Sequence, residues 1–512
     1  MSATTSAAPQ LNFPFKDTID PENGHHGITD PSAYKGLYAF HKYWGKKPHE
    51  VLGFIIEHLT EREDIVLDPF MGSGTTGREA LLRGRGFIGC DINPCSLRLA
   101  ELMLSPPAAS SVKAGFNKVR KLCEAPIYST YTSDDITVNT HFLWRDTSLE
   151  EVWTTKRGTR ATSKRAPNAK DIALIKQYEA YQTTRFRPLH FFTNPRINAF
   201  PQLQWKDIFT GRALHNLDIL HSAILAQPEP ARSALLLVLT ASCGQMSKMV
   251  FAITGRGKTQ GRTSERVEVG SWVIGFWRPK LHFEINVWDC FERRATKLLK
   301  AIASPDPLQG IVVNNTLTDV LDGNSVASIQ RMDCRRLISL LPDESVSLIV
   351  TDPPHSDRIP YLELSELWNA LLDEEPNFSE ELIVSNAKER KKTKTTYSAE
   401  LGETLHEMSR IMRPNGFLVL VFNARSADDW EGLTQHMGAG NASNPLKCAG
   451  RFPVYYSAGS VVQDNREGGL KHDFAMVFTK ANCDKAIMSV QLNKLHRIPG
   501  WEGVGDIKPC GK

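Results

Sequence analysis

Asp352 stands at the end of the apolar, β-branched run "VSLIVT" and is followed at once by Pro353, Pro354 and His355. Such a run reads as a buried strand. The prolines that follow fix their own φ and hold the residue before each of them in an extended shape, so the corner is stiff. A stiff corner of this kind presents two acceptors at a set spacing, the Asp352 carboxylate and the Pro353 carbonyl. An amino group on an aromatic base is a poor nucleophile because its lone pair is delocalised into the ring. Two acceptors gripping its N–H bonds favour a pyramidal nitrogen whose lone pair can meet a methyl group. Preorganised acceptors act on charge that develops in the transition state and need neither a metal nor a covalent nucleophile. His355 offers a flat face on which an extruded base can stack. The plain alternative for these four residues is an ordinary strand-ending turn.

A second constellation lies far upstream. Asp68 ends the strand pattern "DIVLD" and opens the turn Pro69, Phe70, Met71, Gly72, Ser73, Gly74, Thr75, with Asp91 and Ile92 about 20 residues further on. Glycines in a strand-to-helix turn let a ligand approach the backbone, and a later acid takes ribose hydroxyls. The turn lacks the lysine of a P-loop. A carboxylate such as Asp68, roughly 5 Å from a pyrophosphate, would repel it by about 3 kcal/mol at an effective dielectric constant near 20. The same carboxylate favours S-adenosylmethionine, which brings an ammonium and a sulfonium. Capping of the following helix is the other role open to Asp68.

Both constellations need elements to hold them. Strand, glycine turn, helix ("REALLRG") and second strand ("RGFIGCDINP") make a βαβ unit, and parallel strands imply a doubly wound sheet. The rhythm stops near residue 105 and resumes with "DCRRLISLLPDESVSLIVTDPP", "TLHEMSRIMRPNGFLVLVF" and "DFAMVFTK". The expected fold is therefore an α/β, doubly wound, mostly parallel Rossmann-like sheet interrupted by a large, mainly helical insertion. Residues 1–35 read as a flexible arm, 36–105 with 325–485 as a discontinuous catalytic domain, 106–324 as the insertion and 486–512 as a tail. Both polar strand ends then lie at the carboxyl edge of one sheet, where ligands bind in open α/β folds.

Bulk properties agree with a large globular protein. At 512 residues and 41% hydrophobic composition the chain can bury the cores of two or three structural units. Nine cysteines without a C-x-x-C pair give no metal site. The opening residues lack a basic segment followed by a long apolar one, and no run of about 18 apolar residues occurs, so a cytoplasmic location without membrane contact is expected. A net charge of +4 neither requires nor excludes a polyanionic partner.

Taken together, "DPFMGSGTT", "CDINP" and "TDPPH" resemble the amino-methylating DNA methyltransferases, which modify adenine N6 or cytosine N4. The longer phrases "DPPHSDRIPYLELSELW" and "GSVVQDNREGGLKHDFAMVFTK" resemble a large-insertion branch of those enzymes. The resemblance implies a Rossmann-like methyltransferase fold, S-adenosylmethionine as cofactor, and double-stranded DNA as partner, with a cognate restriction endonuclease alongside. It places Lys47 and Pro48 of "HKYWGKKPHEVL" near the methionine end of the cofactor. Asp333 of "MDCRRL" falls where the family's acid often reaches the adenine amino group, with helix capping as its other reading. His355 departs from the family's aromatic, and Tyr361 is able to share its role.

Target recognition is expected in the insertion. Lys156, Arg157, Arg160, Lys164 and Arg165 form one basic segment, and Arg256, Lys258 and Arg262 form another. Lys391 and Lys392 follow the catalytic corner. Such cations suit phosphate contacts, which position a protein without reading bases, although charged loops are as often merely solvated. The resemblance also implies adenine N6 ahead of cytosine N4, because the first catalytic position holds an aspartate where serine is commoner among the family's cytosine-modifying members. A tRNA guanine-N2 methylase and a catalytically silent DNA-binding relative are the alternatives.

Overall fold

The computed structural model describes residues 31–132, 137–156, 162–254, 258–259, 262–263, 267–272, 274–355, 359–423, 446–455, 472–480, 493, 495–496, 498 and 500–503. Most of the expected arm and tail lie outside the described residues. Among those described, one sheet contains β1 (Ile65–Asp68), β2 (Gly86–Asp91), β3 (Val313–Asn314), β4 (Ala327–Arg331), β5 (Val346–Thr351), β6 (Met412–Phe422), β7 (Leu446–Tyr455), β8 (His472–Lys480) and β9 (Glu502–Gly503). Their order is β3-β4-β2-β1-β5-β6-β8-β7-β9. From β3 through β6 every pairing is parallel, and the pairings of β8 with β6 and β7, and of β7 with β9, are antiparallel.

Strands buried on both faces read as continuous apolar runs, and β1 and β5 obey this rule. Val66 and Leu348 are fully buried on one face of the sheet, while Leu67 and Ile349 are fully buried on the other. Each such side chain contributes roughly 1.5–3 kcal/mol. One face packs against α1 (His49–Leu59), α2 (Thr75–Leu82), α3 (Pro94–Leu104) and α5 (Tyr361–Leu371); the other packs against α4 (Cys334–Leu340) and α6 (Lys394–Ile411). Helices on both faces make the sheet doubly wound. The strand order reverses between β1 and β5, which register through Val66 with Leu348 and Leu67 with Ile349. This reversal opens a crevice at their carboxyl ends.

Among its described residues the insertion adds a sheet to the expected helices. It carries the helices Ala109–Tyr131, Gly211–Leu225, Ala231–Cys243 and Val287–Ala301, and also an antiparallel sheet ordered Leu281–Ile285, Thr137–Arg145, Ser148–Lys156, Thr162–Arg165. Register shifts at Asn139/His141 and Leu143/Trp144 break the alternation that would mark the Thr137–Arg145 strand in sequence. The strand pair is anchored from within by Arg212, whose guanidinium lies 2.9 Å from buried Glu284 and stacks over Tyr131 and Phe142. At the far end, β3 joins the parallel sheet ahead of residue 325, where the rhythm is expected to resume; two residues are too short to show a period. In the expected tail, Glu502 and Gly503 pair with Arg451 and Gly450 as an edge strand. No helix among the described residues is long and apolar enough to cross a membrane.

Candidate active site

The glycine turn leaves β1 and enters α2. Gly72 has φ +52° and Gly74 has φ +81°, both in the left-handed region. A Cβ at Gly74 would stand 2.8 Å from the Ala100 Cα of α3, so backbone would meet side chain. Gly74→Ala is expected to destabilise the protein by about 3 kcal/mol, from the strained conformation and the clash together. A lower denaturation midpoint at unchanged slope is the readout.

Two carboxylates fix this turn. The Gly72 N–H donates to Asp91 Oδ2 at 3.0 Å and the Asn93 N–H to Asp91 Oδ1 at 2.8 Å. Asp68 accepts from Phe70 N–H (3.1 Å), Thr76 Oγ1 (2.7 Å) and Thr351 Oγ1 (2.9 Å). Thr351 ends β5, so Asp68 ties the glycine turn directly to the strand that leads into Asp352. Its carboxylate is thus committed to bonds within the fold, in addition to lining the crevice. Burial pushes Asp68 up to about 6 and Asp91 up to about 7, against the pull of their hydrogen bonds.

These shifts set a pH dependence. A carboxyl whose folded pKa is raised binds its proton more tightly folded than unfolded, so the stability it contributes is full below about pH 4 and is lost as pH rises towards 7. The ligand-free protein is expected to melt at progressively lower temperature from pH 5 to pH 8. Asp91→Asn should flatten that decline in scanning calorimetry.

The twin-proline corner follows β5. Lys47 Nζ lies 2.5 Å from Asp352 Oδ2 and 3.1 Å from Asp473 Oδ2. His355 Nε2 lies 2.8 Å from Asp352 Oδ1 and 3.2 Å from the Val421 carbonyl. Both neighbours accept, so this nitrogen carries the hydrogen. His355 Nδ1 is 4.0 Å from Asp473 Oδ1. Burial opposes the Lys47 ammonium, but Asp352 and Asp473 outweigh it and raise its pKa above the ordinary value. The Pro354 carbonyl accepts from Tyr397 Oη of α6 at 2.5 Å, which braces the corner from the opposite face.

Lys47, Asp352 and Pro354 line a cavity together with Asp68, Asp91, Tyr43, Phe70, Ile92 and Met332; it measures about 960 Å³ with the open space at its mouth included. A smaller cavity of about 270 Å³ adjoins it, sharing Gly45, Lys47, Asp352 and Tyr361 and adding His355, Ile359 and Asp473. Acids at Asp68, Asp91 and Asp333 beside apolar walls suit a ligand with an aromatic ring, hydroxyls and positive charge. Pro69, Ser73 and Thr75 line the large cavity as well, and Pro48 is buried at the start of α1. Asp333 caps α4 by accepting the Arg335 N–H at 2.8 Å and also pairs with the Arg335 guanidinium, while still lining the cavity.

Several expectations change. His355 does not present an open face: it is 9% exposed and turned towards Asp352. Lys47 reaches the twin-proline corner itself, pairing with Asp352 and Asp473. Arg165 is held by Asp171 (2.6 and 2.9 Å) and Asn139, because a buried acid in the same strand–helix corner claims it. Lys164 is exposed, lying over Trp153 and 3.5 Å from Glu151. Lys156 ends its strand exposed. Arg157, Arg160 and Arg256 lie outside the described residues, and Lys258 and Arg262 are described only as members of a short hairpin. Lys391 is exposed and Lys392 lies 3.7 Å from Glu400. The neighbouring Arg390 is buried between Glu363 and Glu381, so that stretch is partly structural.

Sequence reading missed Asp473, Tyr43 and Tyr397. An acid opening the otherwise apolar strand "HDFAMVFTK" was a signal for Asp473; Tyr397, inside a polar run, offered none.

A strand reversal over a cavity shared by two acid-bearing corners defines a ligand-binding α/β protein. The DNA methylase family model matches residues 15–102. The type II methyltransferase M.MjaII of Methanocaldococcus jannaschii is 32% identical over 77 residues, 15% of this chain and 14% of that protein. M1.MboII of Moraxella bovis is 44% identical over 59 residues, 12% of this chain and 23% of its own length. The DNA adenine methyltransferase YhdJ of Escherichia coli K12 is 52% identical over 48 residues, 9% of this chain and 16% of its own. The chain spans less than a quarter of the length of these relatives. Over these residues the chain resembles the amino-methylating (N6/N4) DNA methylase family, whose members use S-adenosyl-L-methionine as methyl donor.

Proposed function

We propose that this chain is a DNA methyltransferase acting on the exocyclic amino group of a flipped base, adenine N6 ahead of cytosine N4, in restriction–modification or phage-related defence. The hydrogen bond from Thr351 to Asp68 is the observation that carries this reading, because it brings the cofactor turn and the acceptor corner to one cavity. Asp91 and the Gly72 turn hold the hydroxyl-bearing part of S-adenosylmethionine, Met332 and Asp333 lie towards its ring, and Asp68 supplies negative charge. The bound cofactor supplies an electrophilic methyl group. Asp352 and the Pro353 carbonyl hold the two N–H bonds of the base. A carboxylate offers about four lone-pair positions. Lys47 and His355 use two of them, which leaves acceptor capacity on the same side chain. Tyr361 lines both cavities and takes over the stacking that an aromatic at position 355 would perform.

One observation favours a silent, DNA-binding relative as the second reading: both Asp352 oxygens already have partners. Incubation with methyl-labelled cofactor and mixed DNA and RNA, followed by nucleoside analysis, decides between them. Label on N6-methyladenine in DNA is the expected result. Label on RNA guanine, or DNA binding with no label, would replace the proposal.

A further inference from the structure

The Val287–Ala301 helix carries cations that the proposed chemistry leaves unused. Its acids are engaged by the neighbouring Ala109–Tyr131 helix: Asp289 accepts from Tyr128 Oη at 2.7 Å, and Glu292 pairs with Arg120 at the surface. Arg293, Lys297 and Lys300, at helical spacings of four and three, are exposed instead. Between the two sets, Arg294 donates to the Phe40 carbonyl at 2.8 Å and so docks the helix on the segment that walls the large cavity. In that segment Lys46 donates to the carbonyls of His41 (2.8 Å) and Tyr38 (3.1 Å), and Lys42 donates to the Trp272 carbonyl at 3.0 Å. Lys46 itself lines the large cavity.

Carbonyl oxygens orient these ammonium groups without neutralising them. Burial, with Arg294 nearby, pushes Lys46 down to about 8 and Lys42 down to about 7. Positive charge gathered in this way repels itself, and an anion lying across it would relieve the repulsion. The three exposed cations span about 10 Å of helix, comparable with about three successive phosphates of one strand.

We infer that Arg293, Lys297 and Lys300 contact the phosphate backbone of duplex DNA and lead it over Arg294 and Lys46 to the rim of the catalytic cavity. This inference rests on DNA being the substrate and names where the duplex lies. The site was not among the basic segments that stand out in the sequence, because its cations are spread over one helix face and one distant loop.

Phosphate contacts do not read sequence, so a random duplex suffices as probe. Binding of the full chain is measured by fluorescence anisotropy over a range of salt concentrations. The comparison is between wild type, the triple variant Arg293→Gln, Lys297→Gln, Lys300→Gln, the single variant Lys297→Glu, and a control with equal charge loss, Lys170→Gln, Lys176→Gln, Lys206→Gln. The triple variant is expected to lower the slope of log affinity against log salt by about 2.7, near 0.9 for each phosphate that is no longer neutralised, with the control little changed. A slope matching wild type, or falling no more than in the control, overturns the inference. If the wild type still methylates DNA in that case, the functional reading stands and only the placement of the duplex fails. Wild type that binds a structured RNA but no duplex DNA overturns both.

Discussion

Asp352→Ala is expected to slow methyl transfer by about 10²–10³-fold, the loss typical of removing one preorganised transition-state partner, while binding of the labelled methyl donor changes little. The separation follows from the architecture. Asp91 and the Gly72 turn sit on β2 and after β1, held to each other by the Asp91 hydrogen bonds, whereas Asp352 follows β5. Lys47 keeps Asp473 as a partner in the variant, so no buried ammonium is left alone. Single-turnover rates and equilibrium dialysis test the two halves of this expectation. A variant that no longer binds the donor would contradict the acceptor role assigned to Asp352.

Lys47→Met is expected to destabilise the protein by about 3–5 kcal/mol, the range seen when one member of a buried pair is removed. Asp473 is 1% exposed and would keep its charge in the interior without a cation at 3.1 Å. The two carboxylates that now share Lys47 would then repel each other. Adding Asp473→Asn should recover much of the loss, and the resulting double-mutant cycle isolates the coupling. Denaturant titration at constant slope supplies the numbers. A loss below about 1 kcal/mol would mean that the pair behaves like a surface salt bridge.

The parallel core was legible because β1, β2 and β5 are buried on both faces and read as unbroken apolar runs. The acid-bearing corners were legible for a related reason: a strand that stops at Asp68 or Asp352 directly before proline leaves few local structures open. What lay beyond the sequence was the set of partners that meet those acids. Asp68 bonds Thr351, and Asp352 bonds Lys47, across separations of 283 and 305 residues, and no local pattern encodes such pairings. His355 shows the same gap. Its type suggested a stacking surface, while its neighbours Asp352 and the Val421 carbonyl make it a buried donor. The antiparallel sheet of the insertion escaped notice because bulges interrupt its alternation, and the antiparallel β7 to β9 side of the main sheet depends on segments too far apart to pair by inspection.

The junction between β1 and β5 also bears on how the chain is made. During synthesis the first of these strands emerges with its helices while its neighbour is still hundreds of residues from being translated. Until then Val66 and Leu67 form a bare hydrophobic margin, the kind of surface that recruits unwanted strands. The intervening segment, with its own sheet and helices, is completed first, so it occupies the nascent protein before the main sheet can close.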